Sequence, residues 1–325
     1  MNRINLTLPK GSLERGTYEL LERAFYKVSG QERTYRPRIS DPEISLKVLR
    51  PQEIPVFVAG GLYDVGITGA DWVQETEADV KKLLDLKFGR VKLIVAVPDR
   101  KPSLSVDSLL EDRWSEGAPV RISTEYLNIA TKYIKSREPY KVRFGSKEPK
   151  VVTPWWTKGR NEDAVIYLSF GATEAKPPED AEMIVDVMET GTSLQQNGLR
   201  VVDTILESSA WLITNKVAMK DPRKKEKILG LMASLKGVVD ARERLHIFVN
   251  VREENLPKLL KEIPALKKPT VGKLSEEGWY AVNTVIERSQ LHDLLPALRR
   301  LAQGVVVHEP QQVLSIEEMM EESGL

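Results

Sequence analysis

Val91-Lys92-Leu93-Ile94-Val95-Ala96-Val97 is the stretch that decides the fold class. All but Lys92 are apolar, in a run too short for a buried helix. Such a segment reads as a strand covered on both faces, the pattern of a parallel sheet packed between helices. Working outward, residues 4–8, 44–49 and 64–68 read as strands. A helical pattern through Leu13, Leu20, Leu21 and Ala24 and a short helix at 51–59 lie between them. On the other side, residues 119–123, 164–168, 183–187, 199–206 and 210–214 read as strands and 125–135 as a helix. Strands alternating with helices imply an α/β fold. Residues 139–163 carry three prolines, Gly159 and the adjacent Trp155 and Trp156, and read as irregular: a flap over a cleft or a surface excursion.

The last third has a different rhythm. Residues 221–236 form a charged amphipathic helix with Ile228, Leu231, Met232 and Leu235 on one face. Strands at 245–251, 270–274, 279–286 and 305–308 then alternate with helices at 253–261 and 289–301. That order, βαββαβ, is the ferredoxin-like plan, which suits a regulatory or oligomerising module. The acidic end, with Glu317, Glu318, Glu321 and Glu322, reads as a solvated terminal helix.

The chain has 325 residues, enough for two or three domains at ~150 residues each. Lys+Arg number 48 against 47 Asp+Glu, a net charge of +1, so no basic footprint for nucleic acid is present. There is no cysteine, which excludes disulfides and a thiol nucleophile. No run reaches the ~18 apolar residues of a membrane span, and the first residues lack the apolar core of a signal peptide. The expectation is a soluble, cytoplasmic protein. The three histidines, His246, His292 and His308, are too widely spaced to suggest a metal site.

Residues 186–194, Asp-Val-Met-Glu-Thr-Gly-Thr-Ser-Leu, carry the chemistry. Thr190, Gly191, Thr192 and Ser193 are small and donor-rich, and Gly191 tolerates positive φ. Such a turn can curl its N–H groups around an anion, and a helix starting there would add its dipole. Asp186 and Glu189 repel phosphate but accept hydrogen bonds from sugar hydroxyls or hold Mg²⁺. A phosphate cradle beside two acids suits a phosphorylated sugar.

Seven motifs, in order, turn this reading into a family resemblance. They are Leu8-Pro9-Lys10-Gly11-Ser12-Leu13, Arg50-Pro51-Gln52-Glu53-Ile54-Pro55, Tyr63-Asp64-Val65-Gly66-Ile67-Thr68-Gly69-Ala70-Asp71 and Asp85-Leu86-Lys87-Phe88-Gly89-Arg90. Ile122-Ser123-Thr124-Glu125-Tyr126-Leu127-Asn128, Ser169-Phe170-Gly171-Ala172-Thr173-Glu174-Ala175-Lys176 and Lys268-Pro269-Thr270-Val271, with Gly278-Trp279 after it, complete the set. With the Asp186 segment they resemble the long form of ATP phosphoribosyltransferase over nearly the whole chain.

The resemblance implies two α/β lobes like a type II periplasmic binding protein plus a C-terminal ferredoxin-like, ACT-like domain. Residues 1–98 with 188–220 would form lobe I and 99–187 lobe II. Residues 221–240 would be a helical linker and 241–325 the regulatory domain. The implied reaction joins N1 of the adenine of ATP to C1 of phosphoribosyl pyrophosphate, with Mg²⁺ assisting and pyrophosphate leaving. Thr190, Gly191, Thr192, Ser193 and Leu194 would hold the 5′-phosphate, and Asp186 and Glu189 the ribose. Lys10, Gly11, Arg50, Asp71 and Glu174 would face the nucleotide or diphosphate, Glu174 also being the candidate for Mg²⁺. Histidine would inhibit through Thr270, Val271 and Gly272, and dimers would associate into a homo-hexamer. No protein nucleophile is needed, because adenine N1 attacks. The family's Asp-Ala before the Ile-Val-Asp strand is here Glu182-Met183, which puts the Glu182 contact in question. A solute-binding or sensory protein on the same two lobes is the alternative reading, since fold alone does not separate them.

Overall fold

The computed structural model describes residues 3–32, 34–99, 105–264 and 268–314. The expected acidic terminal helix falls outside them. The chain divides into two compact units: Asn5–Gly16 with Leu46–Lys220, and Thr17–Ser45 with the segment from Asp221 onward.

The first unit holds two sheets. A five-stranded sheet runs Ile44–Leu49, Ile4–Pro9, Val65–Gly69, Ala210–Thr214, Lys81–Asp85. Ile4–Pro9 and Val65–Gly69 are parallel, whereas Ala210–Thr214 is antiparallel to both neighbours. A seven-stranded sheet runs Thr157–Lys158, Pro149–Val152, Asn161–Leu168, Val120–Thr124, Met183–Met188, Val91–Pro98, Leu199–Ser208. Its middle, from Pro149–Val152 to Met183–Met188, is parallel.

Val91–Pro98 is buried as expected but is antiparallel on both sides. The apolar run reports two-sided burial, not direction. Leu93, Val95 and Val97 enter the core beneath the helices, while Ile94 and Ala96 enter a second cluster with Ile184, Leu194 and Leu199. The expected division also places 91–98 and 199–206 with lobe I. Their backbone pairing puts both in the seven-stranded sheet, because the chain changes sheet at 86–91 and returns at 208–210. The two crossings are bonded to each other: Leu86 N–H donates to the Ala210 carbonyl and Ala210 N–H to the Phe88 carbonyl, both at 2.9 Å.

Residues 139–163 are not irregular. They contain most of a helix, Glu138–Phe144, and the strands Pro149–Val152 and Thr157–Lys158, the latter pair antiparallel. The prolines fit because Pro139 stands in the first turn of its helix, where no N–H is required, and Pro149 opens a strand. Trp155 and Trp156 sit at the exposed tip between the two strands.

In the second unit, Asp221 caps the helix Pro222–Arg242 by accepting from the N–H groups of Arg223 and Lys224. That helix runs six residues past the expected end at 236. A four-stranded antiparallel sheet follows, in the order Thr270–Lys273, Trp279–Glu287, Arg244–Arg252, Ala302–His308. With helices Leu256–Glu262 and Leu291–Leu301 this is the expected ferredoxin-like arrangement. Leu245, Ile247, Val249 and Val251 alternate into its core against Leu294 and Leu298.

Candidate active site

A cavity of about 280 Å³ opens at the strand ends of the first unit. Lys10, Gly11, Arg50 and Asp71 line it from the five-stranded lobe. Glu125, Tyr126, Gly171 and Asp186 line it from the carboxyl ends of the parallel strands in the other lobe, where ligands of open α/β sheets bind. Both cations, Lys10 and Arg50, stand on the wall that also carries Asp71, and Glu125 and Asp186 face them from the other, which makes the cavity bipolar.

Lys10 and Gly11 stand where the first strand turns into helix Glu14–Arg23. Gly11 has φ +92°, a conformation that favours glycine, and Lys10 N–H bonds to the Leu49 carbonyl at 2.8 Å. Arg50 is set by a reciprocal turn: its N–H donates to a Glu53 carboxylate oxygen at 3.1 Å, and Glu53 N–H to the Arg50 carbonyl at 3.0 Å.

Asp186 lies within the strand Met183–Met188, two residues before its end. Burial pushes its carboxyl up to about 6, against the hydrogen bond from Val187 N–H and the nearby Thr173 hydroxyl, which pull it down; the charges of Glu125 and Glu174 push the same way as burial. The group is therefore poised to change charge just below neutrality. Beyond it the expected loop forms. Gly191 takes φ +80° and caps the helix Thr192–Gln196, so a helix does begin at the small-residue turn. Thr190, Thr192 and Ser193 are exposed, with the Thr190 and Thr192 hydroxyls 3.3 Å apart. Ser193 also donates from its hydroxyl to Glu174, which ties the Glu174 turn to this loop.

Three expected residues sit differently from their grouping in the sequence. Leu194 is 8% exposed and turns its side chain into the core, so only its backbone is available to a ligand. Glu189 lines a second cavity, of about 560 Å³, with Lys82, Lys87, Arg90 and Lys92. Asp186 and Glu189 therefore line different cavities, which meet at Val91. Asp71 lines the first cavity but is 4% exposed, and both carboxylate oxygens are engaged: Ser208 Oγ donates at 2.6 Å and Tyr126 OH at 2.7 Å. Thr270, Val271 and Gly272 lie exposed on the edge strand of the ferredoxin-like sheet.

Glu182 is a structural clamp. It accepts from Arg121 N–H at 2.6 Å, from the Arg121 guanidinium and from Arg113 Nη2 at 3.1 Å. Among the described residues no cluster of three or more His, Cys, Asp or Glu forms a metal cage, and no helix is long and apolar enough to cross a membrane.

A family model described as ATP phosphoribosyltransferase matches residues 50–237, and one described as HisG, C-terminal domain, matches 241–310. The chain is 35% identical over 312 residues to the ATP phosphoribosyltransferase of Solibacter usitatus, covering 94% of this chain and 97% of that one. It is 38% identical over 312 residues to that of Thermodesulfovibrio yellowstonii, covering 94% and 96%.

The chain belongs to the ATP phosphoribosyltransferase family. Its fold agrees: the ATP phosphoribosyl transferase (HisG:HisZ) complex from Thermotoga maritima superimposes with a TM-score of 0.55 at 21% identity, over 73% of this chain and 98% of that one. As an ATP phosphoribosyltransferase it is a pentosyltransferase, acting on ATP and phosphoribosyl pyrophosphate at the first step of histidine biosynthesis. The sequence reading assigned no role to Glu125 and Tyr126, although it quoted both. Their position just past the carboxyl end of an expected strand was the available signal.

Proposed function

We propose that the bipolar cavity is where the two substrates meet. The observation that carries this is Asp186 on the wall facing Lys10 and Arg50, in the strand that runs on into the Gly191 turn. The exposed N–H and hydroxyl groups of Thr190–Ser193 hold the 5′-phosphate, and Leu194 adds its backbone N–H. Asp186 accepts from the ribose hydroxyls and, when ionised, favours the positive charge that develops at C1 as the diphosphate departs. Glu189 serves the ribose only from the neighbouring cavity. Lys10, as a point charge, and Arg50, as a planar fork, take phosphate oxygens. Gly11 lets the backbone come close. Asp71 acts on the nucleotide side through Tyr126, since its own oxygens are occupied.

The donors fit Mg²⁺ without a protein cage: it commonly uses one or two carboxylates plus substrate phosphates, and Glu174, a hard oxygen ligand, would be the one to hold it. When bound, it neutralises the leaving diphosphate. Positioning and charge stabilisation are then all the protein must supply. Histidine acting through Thr270–Gly272, a homo-hexamer built from dimers, and a cytoplasmic location belong to the same reading.

The test is release of pyrophosphate on incubation with ATP, phosphoribosyl pyrophosphate and Mg²⁺. Release requiring both substrates supports the assignment; none from folded protein rejects it. Unchanged rates in millimolar-range histidine would remove the effector role alone.

A further inference from the structure

The helix Leu127–Ser136 begins at Tyr126, which offers it no side-chain cap. The first-turn N–H groups of a helix need acceptors, and here they come from the other lobe. Glu75, at the end of helix Ala70–Glu75, accepts from Asn128 N–H on Oε1 and from Ile129 N–H on Oε2, both at 2.9 Å. Asn128 Nδ2 donates back to the Glu75 carbonyl at 2.8 Å. Glu75 is only 7% exposed.

The same short helix makes two more contacts with this corner. The Trp72 ring stacks on Tyr126 with centroids 4.4 Å apart, and Asp71 accepts from the Tyr126 hydroxyl. Asp71, Trp72 and Glu75 thus form one face of one helix, applied to the segment that carries Glu125 and Tyr126 into the cavity.

A serine or aspartate at position 126 would cap the helix whatever the angle between the lobes. A cap supplied across the cleft satisfies those N–H groups only when the lobes stand as they do here. The backbone crosses between the lobes at 86–91 and 208–210; this contact ties them at a point remote in sequence from both, with the Lys132–Glu77 ion pair beside it.

We propose that Glu75 is a positioning residue of the transferase: a latch between the lobes that fixes the angle at which Glu125, Tyr126 and Asp186 face Lys10 and Arg50. The role in catalysis rests on the cavity being the substrate site; the role as latch does not.

The experiment separates the two. The chain has no native cysteine, so spin labels at Leu62→Cys and Val142→Cys, 65% and 79% exposed on opposite lobes, report one distance by pulsed electron resonance. The expected result without substrates is a single narrow distribution with Glu75. Glu75→Ala should add a broad, displaced component, and Glu75→Gln, which keeps one acceptor oxygen, should lie between. In the unlabelled full-length chain, Glu75→Ala should raise KM for both substrates about tenfold with kcat little changed, because only a fraction of molecules would hold the competent angle. An unchanged distance overturns the latch, including where the variant is merely less heat-stable. A changed distance with unchanged KM keeps the latch and overturns its role at the substrate site.

Discussion

Glu75 offers a sharp test through pH. Burial is the largest influence on its carboxyl and pushes it from the ordinary 4.5 up to about 7, although the N–H groups of Asn128, Ile129 and Leu127 pull the other way; nearby Glu77 adds to the rise. Glu77 is itself paired with Lys132, and Asp71 on the same helix face is held by Ser208 and Tyr126. A raised carboxyl means that the folded protein keeps a proton which the unfolded chain has released. The resulting stability is fully present below about 4.5 and is lost as pH rises through about 7. At about 1.4 kcal/mol per tenfold change in proton affinity, the rise is worth roughly 3 kcal/mol. Glu75→Gln cannot release a proton, so it should lack this dependence. The assay is urea unfolding of both proteins, followed by tryptophan fluorescence, near pH 4.5 and near pH 8. Subtracting one protein from the other cancels Asp186 and the other carboxyls. Wild type should lose roughly 3 kcal/mol relative to Glu75→Gln between these limits. A difference that stays constant across the range would refute the argument that desolvation outweighs the hydrogen bonds at this carboxylate.

Other expectations follow from single side chains. With its carboxyl near 6, Asp186 should lose its charge as pH falls, so KM for phosphoribosyl pyrophosphate should rise about tenfold per pH unit below that point; in Asp186→Asn the same titration should be flat. Gly191→Ala forces a side chain into positive φ and sets a Cβ 3.2 Å from Met188 Sδ. It should cost about 1 kcal/mol of stability and weaken phosphoribosyl pyrophosphate far more than ATP in a calorimetric titration; equal loss for both would contradict the loop assignment. Gly69→Ala would place its Cβ 2.1 Å from Asp71 Oδ1, displacing Asp71 from Ser208 and Tyr126. A loss of about 2 kcal/mol in denaturant unfolding is expected. Glu182→Ala removes the acceptor shared by Arg121 and Arg113, leaving them the Glu179 carbonyl and Glu116, and should lower stability by roughly 1–2 kcal/mol, with kcat nearly unchanged as the check on a purely structural role.

The fold class was legible because apolar periodicity is local. The two central strands of the ferredoxin-like sheet alternate between buried and more exposed residues, as Leu245, Ile247, Val249 and Val251 illustrate. Strand direction was not legible: Val91–Pro98 packs on both faces in an antiparallel setting, and nothing in its side chains distinguishes that from a parallel one. The sheet change at 86–91 was missed for a similar reason, since crossing points are set by pairing between distant segments. At the site, the Gly191 turn could be anticipated because positive φ has a residue signature. Glu75 could not: Asn128 and Ile129 lie more than fifty positions away, and they hold its carboxylate through backbone N–H groups, which every sequence carries alike. Asp71 lines the cavity, but its engagement by Ser208 depends on a contact 137 positions along the chain.

Because odd-numbered side chains of the strand Val91–Pro98 serve one core and even-numbered ones the other, this segment counts residues. Adding or removing one would send Leu93, Val95 and Val97 to the side shaped for Ile94 and Ala96, exchanging every occupant at once. Substitutions conserving volume should be tolerated here, whereas a single codon insertion or deletion should be lethal to folding. The exposed hairpin tip around Trp155 has no such parity to keep. A library that varies chain length should therefore draw its survivors from that tip and none from the shared strand.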